Sequence, residues 1–147
     1  MTALERLHVD CAALGTILFT VTAHDFDALL FRRLYSSHPA EYPASGTKPM
    51  VRDAWFDLCI TRGETFVANT PDAFAALFFD HALITSMGLG SAVNIPVSDG
   101  TLVVGTVNLL AGIGHFTPDR LAGYHDAVRG QRVGLVQALR ASAATPG

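Results

Sequence analysis

SAVNIPVSDGTLVVGTVNLL (residues 91–110) holds two apolar runs rich in valine and leucine on either side of an Asp-Gly pair. Asp-Gly between such runs is a strong hairpin signal, because tight hairpin turns demand the positive φ that glycine takes freely. A two-residue turn there sets Val97 opposite Leu102, Ile95 opposite Val104, Val93 opposite Thr106 and Ser91 opposite Asn108. One face is then apolar near the turn and polar at its far end, where Ser91, Thr106 and Asn108 gather. The other face carries Asn94. A single bulge would exchange the faces and bring Asn94 into the group instead. Convergent hydroxyls and amides beside an apolar wall suit a ligand pocket, and they equally suit strand ends that bond loop backbone.

Outward from this hairpin the punctuation is regular. Thr70-Pro71-Asp72 begins a helix with a hydroxyl cap, a proline at the first helical position and an acid near the positive end of the dipole. That helix is expected to run to about residue 87, with Gly88 as its left-handed cap. Thr117-Pro118-Asp119 repeats the grammar and opens a long helix with Leu121, Tyr124, Val128, Leu135 and Leu139 near one stripe. The tail ASAATPG reads as frayed. Residues 3–14 form an amphipathic helix, and residues 16–22 and 29–36 are strands flanking the turn-like HDFDA. Regular alternation in the second of these strands puts Arg33 and Tyr35 on one face. SHPAEYPASGTKPM is a long loop, VRDAWFDLCITRG a short helix stopped by Gly63, and TFVANT a short strand. Adjacent strands joined by hairpins, with helices segregated around them, indicate an α+β domain with an antiparallel sheet. The terminal helices would cover one sheet face, and the middle helices and long loop would enclose a chamber on the other.

Composition bounds the function. The 147 residues suit one domain spanning 1–147, and 50% apolar against 16% charged residues excludes disorder. No stretch approaches the ~18 consecutive apolar residues of a membrane span. A net charge of −3 and a pI near 6.0 argue against a nucleic-acid module. Glu5 and Asp10 interrupt any signal peptide, and Cys11 and Cys59 read as buried free thiols, so a cytoplasmic setting is expected.

Residues 48–110 resemble the GAF domain, specifically its small stand-alone bacterial kind. The carrying features are a tryptophan-bearing helix, then ETFVAN, an apolar helix ending near DHALITSMG, SAVNIPV, a glycine turn and GTVNLL. With the first helix and hairpin the likeness spans nearly the whole chain. It implies a sensory or regulatory domain that holds a small organic molecule or anion in the chamber, pairs as a homodimer through its terminal helices and signals to a protein partner. Neither the Asn-Lys nor the Asp-Glu pair of cyclic-nucleotide members is present. Cys11 and Cys59 lack the context of tetrapyrrole attachment, and no cysteine after Cys59 could serve a thiol-based methionine sulfoxide reductase. The residues name no cofactor.

Candidate site residues follow from these elements. Asp80 and His81 invite three readings: satisfied polar spots on a helix, pocket lining, or acid and base in a GAF-fold enzyme acting on a small metabolite. Neighbouring helical residues point about 100° apart, so the pair does not form a direct dyad. Their neighbours at helical spacing are apolar or threonine, which offers a metal little. Arg33 and Tyr35 would supply a cation and a phenol suited to a carboxylate or other small anion. Trp55 reads as core or as pocket wall, Phe66 flanks the short strand, and Asn69 is a pocket amide or a turn residue. A third outcome is a chamber filled by side chains, given nine phenylalanines.

Overall fold

The computed structural model describes residues 1–144. Helix α1 (Ala3–Ala13) starts at a reciprocal capping box between Thr2 and Glu5. Strands β1 (Leu18–Asp25) and β2 (Leu30–Ser36) form the first hairpin, and β3 (Thr47–Pro49) joins the sheet from within the segment expected to be all loop. Helix α2 (Ala54–Phe56), capped by Asp53, passes directly into a π-helical turn (Asp57–Thr61). Strand β4 (Phe66–Ala68), helices α3 (Pro71–Ala75) and α4 (His81–Ser86), the hairpin β5 (Ser91–Ser98) and β6 (Val103–Ala111), and helices α5 (Pro118–Gly130) and α6 (Arg132–Ala144) complete the chain. The six strands lie in the order β3-β2-β1-β6-β5-β4, and every neighbouring pair is antiparallel. The α+β architecture is the one the punctuation indicated.

Two cores sandwich the sheet. Phe19, Val21, Val93, Ile95, Val107 and Leu109 face α1, α5 and α6, which contribute Leu7, Cys11, Tyr124, Val128, Leu135 and Leu139. The opposite core contains Leu18, Tyr42, Cys59, Phe66, Phe74, Ile84, Leu89 and Leu110, with Trp55 packed against it. Helix α6 lies unusually close to the sheet at Gly105. A Cβ there would stand 2.6 Å from Leu139 Cδ2 and 2.6 Å from the Thr22 carbonyl oxygen, so only glycine fits.

Several expected elements are cut differently. The helix foreseen over residues 70–87 breaks at 76–80, where Phe78, Phe79 and Asp80 form a run of weak helix formers. The long C-terminal helix divides at Gln131, next to Gly130, although the core stripe is as expected. The frayed tail is corrected over residues 141–144, which belong to α6; residues 145–147 lie outside the described residues.

The largest correction is register. The β5–β6 loop is four residues long, because Asp99 Oδ1 accepts the backbone N–H of both Thr101 and Leu102 and the Asp99 N–H donates to the Leu102 carbonyl. A bulge follows, with Ser98 opposite Val103 and Val97 opposite Gly105, so Val104 is the extra residue. Beyond it Val93 pairs with Leu109 and Asn94 with Asn108, three residues away from the two-residue-turn alignment. An odd shift exchanges faces. Asn94, Thr106 and Asn108 therefore share the face opposite the terminal helices, and Ser91 points to the other side.

Candidate functional site

A polar strip crosses the sheet on the face under the middle helices. Trp55 donates its indole N–H to Asn94 Oδ1 at 2.9 Å, and Asn94 Nδ2 donates to Asn108 Oδ1 at 2.8 Å. Asn108 Nδ2 then donates to Thr20 Oγ1 at 3.1 Å and Thr22 Oγ1 at 3.0 Å. The relay spans one helix and three adjacent strands. Its alignment follows from pairing, since Asn94 lies opposite Asn108 and Asn108 opposite Thr20. Such a chain polarises along its length and is costly to leave half-made.

His24 extends the strip. Its Nδ1–H donates to the Val103 carbonyl at 3.1 Å, and Nε2 faces Thr106 Oγ1 at 3.5 Å, the limit of a useful bond. Burial pushes its pKa down to about 4, opposed in part by the bond to Val103, so the ring is neutral at pH 7. Phe31 packs edge-on against both His24 and Trp55, tying the two ends of the strip together.

The long loop closes over this face through Tyr42. Its hydroxyl donates to Asp80 Oδ2 at 2.6 Å, and the Arg33 guanidinium carbon lies 5.0 Å from the ring centroid. Burial and the Asp80 carboxylate hold the phenol well above its ordinary range. Arg33 Nη1 also donates to the Pro43 carbonyl, fastening the loop a second time. Phe66, Phe74, Phe78 and Leu110 belong to the apolar core of this face, with the Phe78 ring packed on both Phe66 and Phe74.

The expected site residues thus part company. Arg33, Trp55, Phe66, Asp80, Asn94, Thr106 and Asn108 belong to this face or its cover. Tyr35 does not. A bulge between Val21 and Thr22 pairs Tyr35 with Val21 and Arg33 with Thr22, separating residues expected on one face. The Tyr35 hydroxyl lies 2.7 Å from His8 Nδ1 on the terminal-helix side. Ser91 is buried there and donates to the Gly112 carbonyl at 2.7 Å. Asn69 is a clamp: its amide donates to and accepts from the Phe116 backbone, fixing the connection into α5. His81 starts α4 with its side chain exposed, and the broken helix removes the stripe it was expected to share. Sequence reasoning missed Thr20, Thr22, His24 and Tyr42. The period-two spacing of Thr20, Thr22 and His24 in β1 was the available signal for three of them.

Among the described residues no three or more His, Cys, Asp or Glu side chains converge on a metal-sized site, and no helix is long and apolar enough to cross a membrane. No family model and no curated protein matches the sequence. Solved structures do match in shape. The GAF domain of a two-component sensor histidine kinase from Bacillus halodurans superposes with a TM-score of 0.75 at 12% identity, covering 95% of each chain. The GAF domain/HD domain protein from Geobacter sulfurreducens gives 0.70 at 14% identity, over 92% of this chain and 93% of that one. The GAF-B domain of DevS from Mycobacterium smegmatis gives 0.65 at 17% identity over 97% of both. Identities this low speak to architecture alone, and the architecture agrees along the whole length: this chain folds as a GAF domain.

Proposed function

We propose that the protein is a small-molecule-sensing domain whose recognition floor is the strip formed by Trp55, Asn94, Asn108, Thr20 and Thr22. The observation that carries this reading is the relay itself. Five side chains of mixed type are joined by four hydrogen bonds inside an otherwise apolar layer, where aliphatic residues would pack at lower cost. A neutral organic ligand with its own donor would replace the Trp55 indole on Asn94 Oδ1. The loop held by Tyr42 and Arg33 would then move with α2, shifting the population between closed and open forms. GAF domains of a similar shape occur in a sensor histidine kinase, which supports a signalling role.

Output through protein contacts fits the same reading. Val9 of α1 and Val133 of α6 are 55% and 73% exposed, which supports a homodimer through the terminal helices. Two buried free thiols support a reducing, cytoplasmic setting. The test is a metabolite screen by thermal denaturation. A ligand should raise the midpoint in proportion to the logarithm of its concentration, and Asn94→Leu should abolish the rise while the protein stays folded. A ligand response unchanged in both Asn94→Leu and Asn108→Leu would sink the assignment.

A further inference from the structure

At the end of the sheet that carries the β1–β2 turn and the β5–β6 loop, three segments surround a cleft of about 760 Å³. They are the β1–β2 turn, the β5–β6 loop, and the run from residue 50 through the π turn to Gly63. The volume is in the range of pockets that take drug-sized ligands. Phe26, Leu29, Phe56, Ile60 and Leu102 give it apolar walls, and Val103 lines it from the sheet.

Two of those walls are large apolar side chains left open to solvent. Leu29 and Leu102 project from opposite hairpin tips and are 61% and 54% exposed. Leu29 also has φ 55°, a left-handed conformation that favours glycine or asparagine and that a branched apolar residue rarely adopts. The strain serves no interior packing, since the side chain is mostly in water. A strained residue of this kind points to a function at its position.

The charge in the cleft has one sign. Arg52 and Arg62 line it, and no carboxylate does. The Arg52 guanidinium lies over the Phe56 ring, 5.1 Å from its centroid, which holds the fork in place while leaving its donors free. Arg62 has only a loose 3.8 Å approach to Glu64, with both side chains more than half exposed, so that pair is weak and readily exchanged. Of the acids in the surrounding segments, Asp53 caps α2 and Asp99 bonds Arg140, while Asp27 and Asp57 are not among the lining residues.

An apolar trough lined by two available guanidinium groups and no acid suits an amphipathic anion. We propose that this cleft binds a soluble amphipathic carboxylate, with its hydrocarbon body between Leu29 and Leu102 and its head on Arg52 and Arg62. The cleft shares α2 and Val103 with the polar strip, but Trp55, Asn94, Asn108, Thr20 and Thr22 do not line it, and the proposal does not depend on the strip's role.

Octanoate is the probe, with octylammonium as a tail of opposite charge and acetate as a head without a tail. The full-length protein is followed by thermal denaturation and by amide chemical shifts. Octanoate should give a saturable rise in midpoint, with shift changes confined to residues 26–29, 50–63 and 98–103. Octylammonium and acetate should not. Arg52→Gln combined with Arg62→Gln should weaken octanoate at least tenfold, and Leu102→Asp, a change at an exposed position, should do the same with the fold intact. Equal responses to octanoate and octylammonium, or an affinity unchanged in both variants, would overturn the proposal. So would octanoate shifts centred on residues 20–22, 94 and 108, which would place the ligand on the polar strip. Sedimentation with phosphatidylglycerol vesicles that octanoate does not displace would overturn the choice of a soluble ligand.

Discussion

His24 shows what one residue can decide. Held neutral by burial, its folded pKa of about 4 lies below the ordinary 6.5, so the unfolded chain binds more protons between those values. Stability should therefore fall as pH drops from about 6.5 toward about 4, by on the order of 3 kcal/mol from this ring. His8, His115 and His125 are also lowered by burial and add to the slope. Urea titrations across that range should show a visibly shallower slope for His24→Gln, and an unchanged slope would contradict the neutral buried ring. The thiols make a second case. Cys11 and Cys59 have no exposure, and burial pushes them up to about 12 and about 11. Iodoacetamide at neutral pH should leave both unmodified in the native protein and label both in urea, as read by mass spectrometry. At this scale the sequence was an incomplete guide. Asn94, Thr106 and Asn108 were legible as polar spots in β5 and β6, but their company was not, because face membership inverts with a slip of one residue.

Among the elements, β6 shows a constraint that pattern alone conceals. Gly105→Ala should lower the urea midpoint by the equivalent of about 1–3 kcal/mol, the usual cost of overpacking a core. Leu139→Ala in the same chain should not rescue it, since the Thr22 carbonyl oxygen is backbone and cannot withdraw. The tip of the β5–β6 hairpin is tied to α6 on its far side, where Arg140 bonds Asp99 at 2.9 Å and Arg132 donates to the Ser98 carbonyl at 3.0 Å. Asp99→Ala should lower the midpoint more than Arg140→Ala, because it also frees the N–H groups of Thr101 and Leu102. Element type was readable wherever period and caps agreed, as for α1 and β5. Boundaries failed where a side chain intervened: Asp99 lengthened the loop from two residues to four, and the bulge at Leu34 sent Tyr35 to the opposite face from Arg33. Neither choice leaves a mark in hydrophobic periodicity.

For the molecule as a whole, the two cores differ in how they are sealed. Three helices with continuous apolar stripes cover one, whereas the other is shut by a loop and short helical pieces joined at Tyr42 and Asp80. Tyr42→Phe should cost about 1 kcal/mol, since the freed Asp80 carboxylate can be hydrated. The same change should speed proteolysis within residues 37–46 well beyond what that global loss accounts for, because opening there is local. Equal acceleration at the terminal helices would argue against a separately opening cover. Trp55 carries a practical consequence of this arrangement. It is the protein's single tryptophan, and its indole N–H is committed to Asn94 beneath that cover. Excited near 295 nm, the chain therefore emits from one place, so a change in emission maximum or lifetime reports directly on that hydrogen bond, without a label.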